Sequence, residues 1–122
     1  MTRTATVTDR RAFLTGALAL AVSPGAAHAS ATRQVIYLGA SNCPYCADFE
    51  ANYEAALVQR VESRGATFRE VRVASFYDVR QANAWPADLT WLRDSLRDED
   101  VGTPWFFTVE GKRIVSQTHA YK

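Results

Sequence analysis

The sequence predicts a small α/β domain, ordered strand, helix, strand, second helix and β-hairpin, with a central mixed sheet flanked by helices. Three observations predict it. The bulky β-formers Val35-Ile36-Tyr37-Leu38 are followed within six residues by a proline-initiated helix pattern. A second apolar helical stripe follows Pro86. The last stretch holds two β-forming runs separated by Glu110-Gly111, which is a hairpin pattern. Short connections and right-handed crossovers then place the helices on both faces of one sheet. The length of 122 residues suits one domain and is too short for two ordinary ones.

The first 29 residues read as an address rather than as part of that domain. A polar stretch ends in Asp9-Arg10-Arg11, and an apolar run covers residues 12–22. Ser23-Pro24-Gly25 breaks the run, and Ala27-His28-Ala29 fits a small-x-small cleavage site. The string Arg10-Arg11-Ala12-Phe13-Leu14 resembles a twin-arginine export signal. The competing reading is an amphipathic N-terminal helix of the fold, which the few polar interruptions argue against. The expected division is therefore 1–29 as leader and 30–122 as domain, with no stable membrane span after cleavage. No apolar run reaches the roughly 20 residues a span requires.

Lys plus Arg total 14 and Asp plus Glu 13, a net charge of +1. The leader carries three of those arginines and one of the aspartates, so residues 30–122 keep 11 basic and 12 acidic groups, a net of −1. Neither balance points to nucleic acid or an anionic membrane surface. Hydrophobic residues at 48% and charged residues at 22% exclude a disordered chain. Two cysteines in the whole sequence exclude a disulfide-dense secreted scaffold.

Each element has its own warrant. Residues 34–38 suggest a strand buried on both faces. A helix is expected over residues 44–63, with Phe49, Tyr53, Ala56, Leu57 and Val61 on one stripe and Gly65 as its stop. Residues 67–73 read as a second strand, and Arg69, Glu70 and Arg72 suit an edge. Residues 74–85 are irregular by pattern. A helix is expected from Pro86 to about Leu96 on Leu89, Leu92 and Leu96, with Trp91 packing on its face. Residues 97–100 form a charged, solvated exit. Residues 105–109 and 112–117 are the hairpin strands, and residues 116–122 leave little room for a final helix.

The chemistry sits in Asn42-Cys43-Pro44-Tyr45-Cys46, between the first strand and the first helix. Residues three apart on a helix bring their Cβ atoms to roughly 5–6 Å, which suits a disulfide. Cys43 falls at or beside the N-cap, facing unpaired backbone N–H groups and the positive end of the helix dipole. Cysteines so placed titrate near ~3.5–7 instead of ~8.5. A sulfur already ionised at neutral pH attacks a foreign disulfide, and Cys46, one turn further in, resolves the mixed disulfide. Three plainer readings compete. A purely structural bridge closing so short a loop gains only about 2 kcal/mol. A zinc site lacks ligands, since His119 is the one other preferred ligand after residue 29. Two unrelated buried cysteines fit poorly with the strand–loop–helix setting.

These residues resemble the thioredoxin-fold superfamily. The resemblance rests on Cys43-Pro44-Tyr45-Cys46 after a buried strand, on Val101-Gly102-Thr103-Pro104 before a strand, and on the hairpin turning at Glu110-Gly111. It covers about residues 34–117, and implies a minimal thioredoxin-like fold with a short or absent C-terminal helix. It further implies that Pro104 is a cis-proline packed against the cysteine pair, and that Thr103 offers backbone groups to an incoming peptide. Tyr45, with Pro44 beside it, is a candidate substrate contact. Trp105 is a candidate wall of the substrate groove, with core packing as the stronger alternative. His119 reads as a surface residue, and Asp48 and Glu50 as complements to the helix dipole.

The Pro-Tyr insert is similar to that of glutaredoxins and of one branch of periplasmic disulfide isomerases and reductases. The sequence departs from thioredoxin proper in having Asn42 in place of Trp and Tyr37 in place of a buried Asp. No separate dimerisation domain of the isomerase kind is expected, and a final helix missing or cut to residues 116–122 is expected to leave one sheet face under-covered. The implied activity is thiol–disulfide exchange in the bacterial periplasm. Its partners would be cysteine-containing exported proteins and a membrane redox partner. No metal or organic cofactor is implied, because the sulfur pair carries two electrons itself. The rival function is a non-catalytic binding or adaptor module with an inert disulfide.

Overall fold

A computed structural model describes residues 32–98 and 102–122. The expected leader, its cleavage site and the boundary at Ser30 lie outside these residues, as do Glu99, Asp100 and Val101. The described chain forms β1 (Arg33–Ala40), α1 (Pro44–Asn52), α2 (Glu54–Ser63), β2 (Thr67–Val73), α3 (Thr90–Ser95), β3 (Trp105–Glu110) and β4 (Arg113–Thr118). Single 3₁₀ turns occupy Ala82–Ala84 and Ala87–Leu89.

The sheet order is β2-β1-β3-β4, with β1 parallel to β2 and antiparallel to β3. This is the expected mixed sheet of a minimal thioredoxin-like fold, with the charged second strand at an edge. The register Tyr37↔Phe106 and Ile36↔Phe107 makes the two faces explicit. Alternation along the strands then puts Tyr37, Gly39, Phe68 and Phe106 on one face, and Ile36, Leu38, Trp105, Phe107 and Val109 on the other. Helix α1 covers the first face: Tyr37 and Phe49 have ring centroids 4.7 Å apart, and Phe49 meets Phe106 edge-on at 4.8 Å. The segment before α3 covers the second face, where Arg69 of β2 reaches Asp88 at 2.6 Å. Leu89, Leu92 and Leu96 join the same core. The apolar residues of β1 from Ile36 to Leu38 are fully buried, as a central strand between two helical layers requires.

Several boundaries differ from expectation, among them the end of β1, which runs on through Gly39 and Ala40. The helix over 44–63 is two helices that meet at Tyr53, whose backbone leaves helical geometry at φ −130°, ψ −23°. There Tyr53 packs edge-on against Tyr121 at 5.4 Å, and Tyr121 Oη donates to Asp48 at 2.9 Å. The helix after Pro86 is shorter, because Ala87–Leu89 forms a 3₁₀ turn before α3 begins. The stretch 74–85 is irregular except for Ala82–Ala84, and is held by side chains: Gln81 Oε1 accepts from the Ala74 N–H at 2.8 Å, and the Trp85 indole N–H donates to the Val79 carbonyl at 2.8 Å. The hairpin turns at Gly111-Lys112 instead of Glu110-Gly111, since Glu110 is still in register with Arg113 and its carboxylate pairs with that side chain at 2.6 Å. Gly111 supplies the positive φ of 59° that this turn needs.

After β4 the chain runs on without a helix. Tyr121 packs on Phe49 at 5.8 Å and closes one end of a groove of about 520 Å³ lined in part by Val35, Leu57 and Phe106. No helix among the described residues is long and apolar enough to cross a membrane.

Candidate active site

The cysteine pair is positioned by the end of β1 and the start of α1. The Ser41 N–H donates to the Val73 carbonyl at 3.0 Å, which holds the exit from β1 against β2. Asn42 ties the same loop to the far side: its amide donates to Ser75 Oγ at 3.1 Å and its oxygen accepts from the Phe76 N–H at 3.0 Å. Cys43 then takes the N-cap position with extended backbone, φ −110° and ψ 109°. Pro44 follows as the first helical residue, where its missing N–H costs nothing.

The cap donor is met by sulfur. The backbone N–H of Cys46 donates to Cys43 Sγ at 3.1 Å, and the Ala47 N–H donates to the Cys43 carbonyl at 3.1 Å. An oxygen of Ser, Thr or Asp ordinarily fills this role. Here the sulfur faces the positive end of a helix of nine residues, where anionic forms are favoured. Cys43 and Cys46 form a disulfide with Cα atoms 5.2 Å apart. Cys46 is fully buried and Cys43 is 6% exposed, so Cys43 is the sulfur nearer solvent.

The segment preceding β3 lies against this pair. The Thr103–Pro104 peptide bond is cis. The Thr103 carbonyl oxygen is 3.5 Å from Cys43 Sγ, close enough to accept from a thiol there in the reduced protein. Thr103 Oγ1 is buried without a hydrogen-bond partner, the only such side-chain N or O atom among the described residues. Trp105 is 2% exposed and belongs to the core, while Tyr45 stands 69% exposed between the cysteines. Pro44 is exposed beside it. Tyr45 also borders a cleft of about 280 Å³ with His119, Ala120, Tyr121 and Lys122.

Beneath α1 lies a polar chain of side chains. Tyr37 Oη donates to Glu50 Oε2 at 2.7 Å, and Arg72 pairs with Glu50 and, at 2.8 Å, with Glu70. Burial first, then the hydrogen bond to Glu50 and its negative charge, push the Tyr37 phenol far above its ordinary value of 10.0. A neutral proton donor therefore stands beneath α1. Glu50 is not the expected complement to the helix dipole, since it lies in the last turn of α1 and no acidic residue occupies the first turn; it is the acceptor for a buried hydroxyl. Asp48 is half-buried, and the hydrogen bonds from Tyr121 and Asn52 hold its carboxyl below the usual carboxylate range. No cluster of three or more His, Cys, Asp or Glu among the described residues is arranged to hold a metal ion.

The contacts of two residues are not legible in the sequence. Asn42, inside the cysteine motif, cross-links two loops. His119 is exposed, but its Nδ1 lies 3.1 Å from the Pro104 carbonyl and its ring stacks on Trp105 at 4.8 Å. The hairpin register holds the missing signal: Thr118 pairs with Phe106, so the next residue falls beside the start of β3. No protein-family model matches this chain, and no curated protein matches it.

Proposed function

We propose that the protein is an exported thiol–disulfide oxidoreductase that reduces or exchanges disulfides in other exported proteins through Cys43 and Cys46. The observation that carries the reading is the Cys46 N–H donating to Cys43 Sγ at the head of α1. In the reduced protein the Cys43 thiolate attacks one sulfur of a substrate disulfide. A new S–S bond forms to Cys43, and the other substrate sulfur departs as a thiolate. The Cys46 thiol gives its proton to solvent and attacks Cys43 Sγ. The mixed disulfide breaks, the second substrate sulfur leaves, and the Cys43–Cys46 disulfide closes with two electrons passed to substrate. A membrane dithiol partner returns those electrons by the reverse exchange.

Thr103 and Pro104 present the backbone on which a substrate peptide docks, and Tyr45, with Pro44 beside it, touches the peptide from the helix side. The unpartnered Thr103 hydroxyl supports a docking role, since orphaned buried polar atoms gather at functional positions. Trp105 supports the docking strand from beneath.

Changing Cys46 to Ala removes the resolving sulfur, so it accumulates mixed disulfides on Cys43 when the full chain is expressed with its leader. Their recovery from the periplasmic fraction, and their absence in a Cys43→Ala, Cys46→Ala double variant, is the expected result. A Cys46→Ala chain that forms no covalent adduct with any cysteine-containing protein returns the fold to a non-catalytic docking module. A chain that stays in the cytosol, with or without Arg10 and Arg11 changed to Lys, removes the export half.

A further inference from the structure

The imidazole of His119 packs against the segment that follows the residue facing the reacting sulfur. Its Nδ1 lies 3.1 Å from the Pro104 carbonyl. A carbonyl only accepts, so Nδ1 carries the hydrogen of that bond. The ring lies over Trp105 at 4.8 Å with the planes 23° apart, and its Cε1 sits 3.5 Å from where a Cβ on Gly102 would stand. One side chain thus contacts Pro104 and Trp105. Trp105 is fixed in the core and anchors the contact. Thr103, bonded to Pro104, has its carbonyl 3.5 Å from Cys43 Sγ. A small shift of this segment therefore changes the distance between the docking backbone and the sulfur.

We propose that His119 is a positioning residue for substrate, clamping the segment 102–105 in the shape on which a disulfide-bearing peptide docks. The inference rests on the exchange reading above and assigns peptide binding, not sulfur reactivity, to a residue outside the cysteine motif. The substrate class follows from it: extended polypeptide with free backbone groups beside its disulfide, as opposed to small disulfides that offer no backbone.

Two substitutions separate the contacts. His119→Asn keeps a donor near the place of Nδ1 and loses the ring. His119→Phe keeps a ring over Trp105 and loses the donor. Steady-state reduction of a disulfide-linked peptide, with dithiothreitol as the electron source and its direct reaction subtracted, is compared with single-turnover reduction by the pre-reduced protein of dithionitrobenzoate, which has no backbone to dock. The worth of one intramolecular hydrogen bond corresponds to a change of up to about tenfold. His119→Phe is expected to raise the peptide KM by about tenfold on that basis, with kcat and the dithionitrobenzoate rate unchanged. His119→Asn is expected to stay within about threefold of the wild-type KM. If the Phe variant fails to fold, His119→Ala serves as the donor-free chain.

A wild-type KM in the donor-free variant overturns the clamp, and so does a parallel fall in both substrates' rates. A wild-type protein that reduces neither substrate overturns the exchange reading itself, and is distinguished by needing no variant to see it.

Discussion

Replacing Tyr37 by Phe removes one oxygen from the centre of the fold and nothing else. The ring stays packed between Phe49 and Phe106, at 4.7 and 5.3 Å, while the hydrogen bond to Glu50 at 2.7 Å is lost. Hydrogen bonds to charged groups contribute about 1.5–3 kcal/mol. Glu50 keeps Arg72 and is 26% exposed, so water partly replaces the phenol and the lower end applies. The expected loss at pH 7 is therefore about 1.5 kcal/mol, a fall in Tm of roughly 6–12 °C for a domain of this size.

The pH dependence gives a second handle. In the unfolded chain the phenol ionises near 10.0, whereas burial and Glu50 keep it protonated in the fold. Its contribution is thus complete below pH 10 and is lost as pH rises further, by about 1.4 kcal/mol per unit. The phenylalanine variant has no such group. Urea unfolding of both proteins, at steps from pH 7 to pH 11, should show the wild-type advantage closing near about pH 11. A difference under about 0.5 kcal/mol at pH 7, or one that is the same at pH 9 and pH 11, refutes the buried hydrogen bond to Glu50.

Other substitutions test neighbouring contacts. Gly39→Ala would place a Cβ 2.5 Å from Tyr37 Oη and 2.8 Å from its Cζ. Because that ring is buried and cannot swing away, urea melts should show a loss of about 1–3 kcal/mol, and an unchanged midpoint contradicts the packing. Tyr121→Phe removes the largest influence holding Asp48 below the usual carboxylate range. The Asp48 carboxyl should then titrate closer to its ordinary value in a carbon-detected NMR titration, and an unmoved midpoint contradicts the tail contact.

The parts of the fold that the sequence made legible are those settled by local chemistry. Val35-Ile36-Tyr37-Leu38 read as a buried strand because bulky residues occupy both parities, and β1 lies between β2 and β3. Arg69 and Arg72 mark β2 as an edge because their charges need partners at the rim: Arg69 pairs with Asp88, and Arg72 with Glu50 and Glu70. Cys43 at the N-cap followed from Pro44, whose fixed φ and absent N–H belong at the first helical position.

What was not legible depends on residues far apart in the chain. The break at Tyr53 has no Gly or Pro to announce it, and it coincides with packing on Tyr121, 68 residues later in the sequence. The extension of β1 through Gly39 and Ala40 runs against strand propensity, and is set by pairing with Arg72 and Val73. His119 reads as a surface side chain, and it is exposed in the structure. Its bond to Pro104 arises from the hairpin register, and composition carries no trace of that.

The acidity of Cys43 in the reduced protein is the quantity to measure. Its alkylation rate by iodoacetamide, resolved from that of Cys46 by mass spectrometry, is followed between pH 3 and pH 10. Backbone donors at the start of α1 predict a rate that has levelled off by neutral pH, with a midpoint in the range of about 3.5–7. A rate still climbing at pH 8, with a midpoint at or above the ordinary value of about 8.5, would contradict an activated thiolate at this site.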